Sequence, residues 1–135
     1  MAQKLRVLVV DDEPIVGKRL HRVLTKMGCE AENFDDPRQA LERLEGQGFD
    51  LVITDVKMDD VDGLQILDRA TRLHPEIKVV MITGYAMMEL ARRAMEMGAF
   101  DFISKPFSSD EVRAVVSRVA EGLGIPLQPD QEQGT

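Results

Sequence analysis

Short apolar runs alternate along this chain with longer stretches in which apolar positions recur at helical spacing. The runs predict strands at Leu5–Val10, Glu30–Phe34, Leu51–Thr54, Val79–Thr83 and Phe100–Ser104. The periodic stretches predict helices near Pro14–Met27, Pro37–Glu45, Leu64–Leu73, Met87–Met97 and Asp110–Gly122. Five strand-then-helix units with short links imply an α/β fold built on a parallel sheet. VLVV and VVMI are apolar almost throughout, which suits central strands covered on both faces.

The ends of these elements carry their own signals. Asp36, Pro37 and Gln39 read as an N-cap, a proline at the first helical position and a capping-box partner; Ser108 and Glu111 read as a second box. Gly28 and Gly98 follow helices and suit the left-handed turn that ends them, while His74-Pro75 closes the third helix. No internal repeat is evident. Residues 1–122 read as one domain, and GLGIPLQPDQEQGT, rich in Gly, Pro and Gln, makes residues 123–135 a frayed tail or the stub of a linker.

Composition narrows the function classes. At 135 residues and 44% apolar, the chain can bury the core of a single domain. A net charge of −7 argues against general affinity for nucleic acid or acidic membranes and suits basic partners or cations. Cys29 stands alone, which excludes an internal disulfide, fits a reducing compartment and reads as a small core or edge residue. The amino terminus lacks a secretory cleavage pattern, and no segment approaches the ~20 apolar residues of a membrane span. The expected location is cytoplasmic.

The acids give the chemistry. Asp11 and Asp12 follow the first strand and Asp55 the third. Ligands of an open parallel sheet bind outside the carboxyl ends of its strands. If the first and third strands are neighbours, three carboxylates converge there and repel one another unless a cation compensates them. A hard ion such as Mg²⁺, which sits between carboxylates and a phosphate, fits best. Thr83 ends the fourth strand with a hydroxyl, and Lys105 follows the fifth with an ammonium. A carboxylate nucleophile, a divalent ion, a hydroxyl and a cation make a phosphoryl-transfer site.

The segments VLVVDDE, LVITDVKMDDVDG, VVMITG and FDFISKPF, in this order and spacing, resemble the receiver domain of bacterial two-component response regulators over Lys4 to about Glu121. The resemblance implies a doubly wound, flavodoxin-like three-layer sandwich with five helices and strand order 2-1-3-4-5. It also implies a site. Asp55 would be the phospho-acceptor. Asp12, Asp11 (directly or through water), Asp55 and the backbone carbonyl of Lys57 would hold Mg²⁺. Thr83 and Lys105 would hold phosphoryl oxygens, Phe102 would be the switch aromatic, and the Lys105-Pro106 bond would be cis. The implied function is a signalling switch that catalyses only its own phosphorylation and dephosphorylation. Its implied partners are a sensor histidine kinase or histidine phosphotransfer protein, docking near Ile15, Val16 and Arg19, and an output partner on the face of the fourth helix, fifth strand and fifth helix. A phosphorylation-dependent dimer is compatible with this picture; direct nucleic-acid binding and membrane insertion are not part of it. The sequence shows no recognition helix, so it reads as a stand-alone receiver or one cut from a longer regulator. The TGYAMMELARRAMEMGAFDFISKPF stretch resembles receivers attached to ATP-driven transcription activators.

Three positions depart from the family pattern. Asp59 replaces the usual proline after Met58, giving a more acidic loop. Lys57 and Tyr85 stand where the family tunes dephosphorylation, and their bulk implies a long-lived phosphoryl group. Phe102 lacks the hydroxyl of the usual tyrosine, so a switch there works by packing. Two rivals are weaker. A haloacid-dehalogenase-type phosphohydrolase needs a second acid where Lys57 stands; a pseudo-receiver that only binds partners would not need the complete acid set. Dinucleotide binding is disfavoured by DDEP in place of a glycine-rich turn.

Individual residues also have plainer readings. Asp59, Asp60 and Asp62 read as solvated loop acids, Asp62 also as a helix cap; His21 and His74 as surface residues; Arg92 and Arg93 as a solvated face. About half of Met87, Met88, Met95 and Met97 are expected in the core, the rest forming a soft surface for partners.

Overall fold

A computed structural model describes residues 3–46, 48–58, 61–84 and 88–128. Asp59, Asp60, Tyr85 and Met87, singled out above, lie outside these residues, as does the tail beyond Gln128. The strands are β1 (Arg6–Val10), β2 (Glu30–Phe34), β3 (Leu51–Asp55), β4 (Lys78–Thr83) and β5 (Asp101–Ser104). The helices are α1 (Pro14–Lys26), α2 (Pro37–Gly46), α3 (Gly63–Leu73), α4 (Met88–Glu96) and α5 (Ser109–Leu123). All pairings are parallel and the order is β2-β1-β3-β4-β5, as the resemblance implied.

Alternation along the central strands sorts the core into two layers. Val7 and Val9 of β1, Leu51 and Ile53 of β3, and Val80 and Ile82 of β4 pack with α1 and α5. Leu8 and Val10, Val52, and Val79 and Met81 point the other way, into the layer of α2, α3 and α4. This explains the unbroken apolar runs: a strand covered on both faces needs apolar side chains at every position. Cys29 is buried in the first layer, where desolvation pushes its thiol up to about 11, well away from reactive thiolate chemistry.

Several expectations require correction. The stretch after α5 does not fray immediately. Gly124 takes a left-handed conformation, Ile125 is buried in the first layer, and Leu127 packs against it. Gln128 lies so close to Gly28 that a β-carbon there would meet its carbonyl oxygen at 2.2 Å. The apolar Ile125 and Leu127 are the physical reason; Pro and Gln between and after them masked the pattern. Met88, Met95 and Met97 are all at the surface, because α4 turns Ala91 and Ala94 toward the sheet. His74 is half-buried, its Nε2 2.9 Å from the Leu44 carbonyl. Asp36 accepts from the backbone N–H of Arg38, not of Gln39, whereas the Ser108–Glu111 box and an Asp62–Gln65 box are fully formed. Among the described residues no helix is long and apolar enough to cross a membrane.

Candidate functional site

The register of the sheet builds the site. Val10 pairs with Thr54, so the next residues on β1 and β3, Asp11 and Asp55, emerge side by side at the carboxyl edge. Asp55 pairs with Ile82 of β4, and Thr83 pairs with Ser104 of β5. The Lys105 amide then donates to the Thr83 carbonyl at 2.8 Å, extending the sheet by one bond. Four strands therefore deliver two carboxylates, a hydroxyl and an ammonium to one edge.

Asp11, Asp12 and Asp55 each present a carboxylate oxygen, and all three oxygens lie within 4.8 Å of one another. Asp11 and Asp55 are buried, at 2% and 8% exposure, while Asp12 is exposed. Lys105 reaches into this cluster. Its Nζ is 3.1 Å from Asp55 Oδ2, 3.2 Å from Asp11 Oδ2 and 2.7 Å from Glu13 Oε1. Burial works against the ammonium, but the bond to Glu13 and the charges of Asp11 and Asp55 outweigh it and raise the Lys105 pKa.

Asp11 carries the cost of this crowding. Its Oδ1 accepts the Glu13 amide at 2.8 Å. Its Oδ2 is buried with no hydrogen-bond partner, since Lys105 approaches as an ion pair without hydrogen-bond geometry. Desolvation, aided by the charge of Asp55, pushes the Asp11 carboxyl up to about 6 against the opposing Glu13 amide and Lys105. A buried, orphaned carboxylate oxygen facing two other acids is the kind of ligand that a hard divalent cation takes, so the residues fit an oxygen-liganded metal.

Asp55 accepts the Lys57 amide at Oδ1, 3.3 Å away, and the Lys57 side chain is exposed. Thr83 is fully buried and its hydroxyl donates to the Gly84 carbonyl at 3.0 Å. Phe102 is half-buried against the second core layer, paired with Met81 across β4 and β5. The Lys105-Pro106 bond is cis.

Sequence reasoning missed two contributors. Glu13 is the N-cap of α1 but makes no cap bond with its side chain, which bonds Lys105 instead. The third acid of DDE was the only signal. Gly63 opens α3 directly beneath the turn that follows Asp55: a β-carbon there would lie 2.4 Å from the Asp55 carbonyl oxygen and 2.9 Å from Val56 Cα. The glycine lets α3 approach and bond the Val56 carbonyl at 2.8 Å.

Comparison with known proteins agrees with this geometry. Residues 7–117 match the family model of the response regulator receiver domain. The chain is similar to the nitrogen assimilation regulatory protein NtrX of Azorhizobium caulinodans, at 36% identity over 121 residues, covering 88% of this chain and 27% of that protein. It is similar to the transcriptional regulatory protein FixJ of Bradyrhizobium diazoefficiens, at 33% identity over 116 residues, 86% of this chain and 57% of that one. The crystal structure of the NtrX receiver domain from Brucella abortus superposes with a TM-score of 0.79 at 37% identity, covering 85% of this chain and 98% of that one. The chain thus spans about a quarter of the length of the first of these relatives.

Proposed function

The chain belongs to the response regulator receiver domain family, and on that premise we propose that it is a phosphorylation-dependent switch acting in the cytoplasm, with Asp55 as its phospho-acceptor. The observation that carries this reading is the convergence of Asp11, Asp12 and Asp55 around the Lys105 ammonium at one sheet edge. The donor is a phosphohistidine on a sensor histidine kinase or a histidine phosphotransfer protein. A carboxylate oxygen of Asp55 attacks phosphorus and forms the O–P bond of an acyl phosphate. The P–N bond breaks in line, and its electron pair stays on the imidazole nitrogen.

Asp11, Asp12, Asp55 and the Lys57 carbonyl would hold Mg²⁺; when bound, such an ion offsets charge on the transferring phosphoryl oxygens. Lys105 exchanges its ion pairs for a phosphoryl oxygen. Thr83 needs only a hydroxyl rotation away from Gly84 to donate to another. That pull on the end of β4 reaches Phe102 on β5 and biases the α4–β5–α5 face between two partner preferences, a population shift within one fold. No acid stands at Lys57 to drive multiple turnover, so the protein is a switch that modifies itself rather than an enzyme acting on others.

The test is intact mass after incubation with acetyl phosphate and Mg²⁺, alongside Asp55→Asn. A single phosphoryl adduct is expected on the parent protein and absent from the variant and from chelated samples. A folded protein without adduct would overturn the reading in favour of a module that only binds partners.

A further inference from the structure

Glu13 stands at the N-cap of α1, yet its side chain makes no cap bond. The residues that cap well at this position are short ones: Ser, Thr, Asp and Asn. The longer acid found here reaches across the sheet edge to Lys105, 92 residues on, where its Oε1 accepts from Nζ at 2.7 Å. The Glu13 backbone is fixed by other bonds. Its amide donates to Asp11 Oδ1 at 2.8 Å, and its carbonyl accepts from the amides of Val16 and Gly17. The carboxylate can therefore swing away without disturbing the helix.

We propose that Glu13 is a positioning residue that acts through Lys105: it holds the ammonium in the resting protein and must release it before the lysine can bond a phosphoryl group, so it sets the pace of phosphorylation. The proposal rests on the phosphorylation reading above and adds a regulator of that site. A lysine ammonium has three N–H donors, and Lys105 has three acids within 3.2 Å of its nitrogen. A phosphoryl oxygen must take the place of one of them. The three are not equally replaceable. The Asp11 and Asp55 side chains are 1% and 11% exposed, and each accepts a backbone amide, from Glu13 and Lys57 respectively. The Glu13 side chain is 62% exposed and can turn into solvent. Its contact with the lysine is also the shortest of the three. The partner that holds Lys105 most closely is thus the one that can leave. The Lys105 amide bonds the Thr83 carbonyl at 2.8 Å, so the backbone stays fixed while the ammonium changes partners.

The test compares the parent, Glu13→Gln, Lys105→Gln and the double variant, each as the whole chain. Adduct formation with limiting acetyl phosphate and Mg²⁺ is followed by intact mass. Glu13→Gln keeps the length of the side chain and removes its charge. It should form adduct about threefold faster than the parent, the scale on which an exposed ion pair holds its partners. Its urea midpoint should not move, because no cap bond is lost. In the Lys105→Gln background the same change should bring no gain, since Glu13 then has no lysine to withhold. A rate for Glu13→Gln at or below that of the parent would overturn the proposal. So would an equal gain in both backgrounds, which would mean that Glu13 only repels the charge of the donor. A second measurement does not need the lysine-free proteins to react. In isotopically labelled protein the nuclear magnetic resonance signal of the Glu13 carboxyl carbon should shift when Lys105 is replaced. Phosphorylation of the parent should move it in the same direction. A signal that ignores either change would also overturn the proposal. If acetyl phosphate modifies none of these proteins, the phosphorylation reading has failed and the positioning role falls with it; adduct on the parent without a gain in Glu13→Gln removes the positioning role alone.

Discussion

Replacing Asp11 by asparagine tests the electrostatics of the acid cluster directly. In the metal-free protein this buried carboxyl titrates near 6 rather than at its ordinary 3.8, chiefly through desolvation. A raised carboxyl pKa means that the folded state prefers the protonated form. The contribution to stability is therefore present in full below about pH 4 and is lost as pH rises through about 6. The two values differ by about 2, and each pH unit is worth ~1.4 kcal/mol, so Asp11 costs the metal-free fold about 3 kcal/mol at pH 7. Asn can still accept the Glu13 amide but carries no charge to desolvate. In EDTA, Asp11→Asn should match the parent near pH 4 and exceed its stability by about 2–3 kcal/mol near pH 7.5. The chain has no tryptophan, so urea unfolding is best followed by far-ultraviolet circular dichroism. Saturating Mg²⁺ at pH 7.5 should reverse the order, since a ligand at about 1,000 times its Kd adds about 4.1 kcal/mol to a protein that binds it. A stability difference that is flat from about pH 4 to 8, or Mg²⁺ stabilising both proteins equally, would refute the account of the site.

Three further outcomes are expected. Gly63→Ala places a methyl against the Asp55 carbonyl and Val56, both backbone, so it should cost roughly 1–3 kcal/mol and slow adduct formation, read by urea unfolding and intact mass. Ile125→Ala should cost about 2–4 kcal/mol, placing the structural end of the domain beyond α5; a loss under about 0.5 kcal/mol, the range of surface substitutions, would restore the boundary at Gly122. Lys57→Ala should shorten the life of the acyl phosphate by opening the approach of water to Asp55, and an unchanged decay in a mass time course would remove Lys57 from that role.

The strands were legible to within one residue at either end, and for a physical reason. A central parallel strand is buried on both faces, so its apolar run stops where the sheet stops, and the residue after the run is the one at the functional edge. Asp11 and Asp55 could therefore be placed before any coordinates were known. Helix ends were legible where side chains bond the backbone locally, as at Ser108 and Glu111. What escaped was set by partners distant in the chain. Glu13 turns from its own helix to a lysine 92 residues away. Ile125 is core only because β1, α1 and α5 form a layer that its short apolar pattern does not announce. About half of the methionines in and beside α4 were expected in the core, yet Ala91 and Ala94 take the inward positions, and Met88, Met95 and Met97 lie at the surface.

The charges gathered at the site constrain what it can receive. Asp11, Asp12, Glu13 and Asp55 set four carboxyls against the single Lys105 ammonium. A phosphoryl group adds further negative charge, so the pocket as its side chains stand repels what it is to receive. One ammonium offsets only part of this charge, and burial, with the charge of Asp55 adding to it, raises the Asp11 pKa. Charge balance, as well as resemblance, therefore favours a divalent cation at this site. On the phosphorylation reading, removing the ion with EDTA should abolish adduct formation while leaving the circular dichroism spectrum unchanged; adduct forming equally fast in EDTA would refute this account of the site.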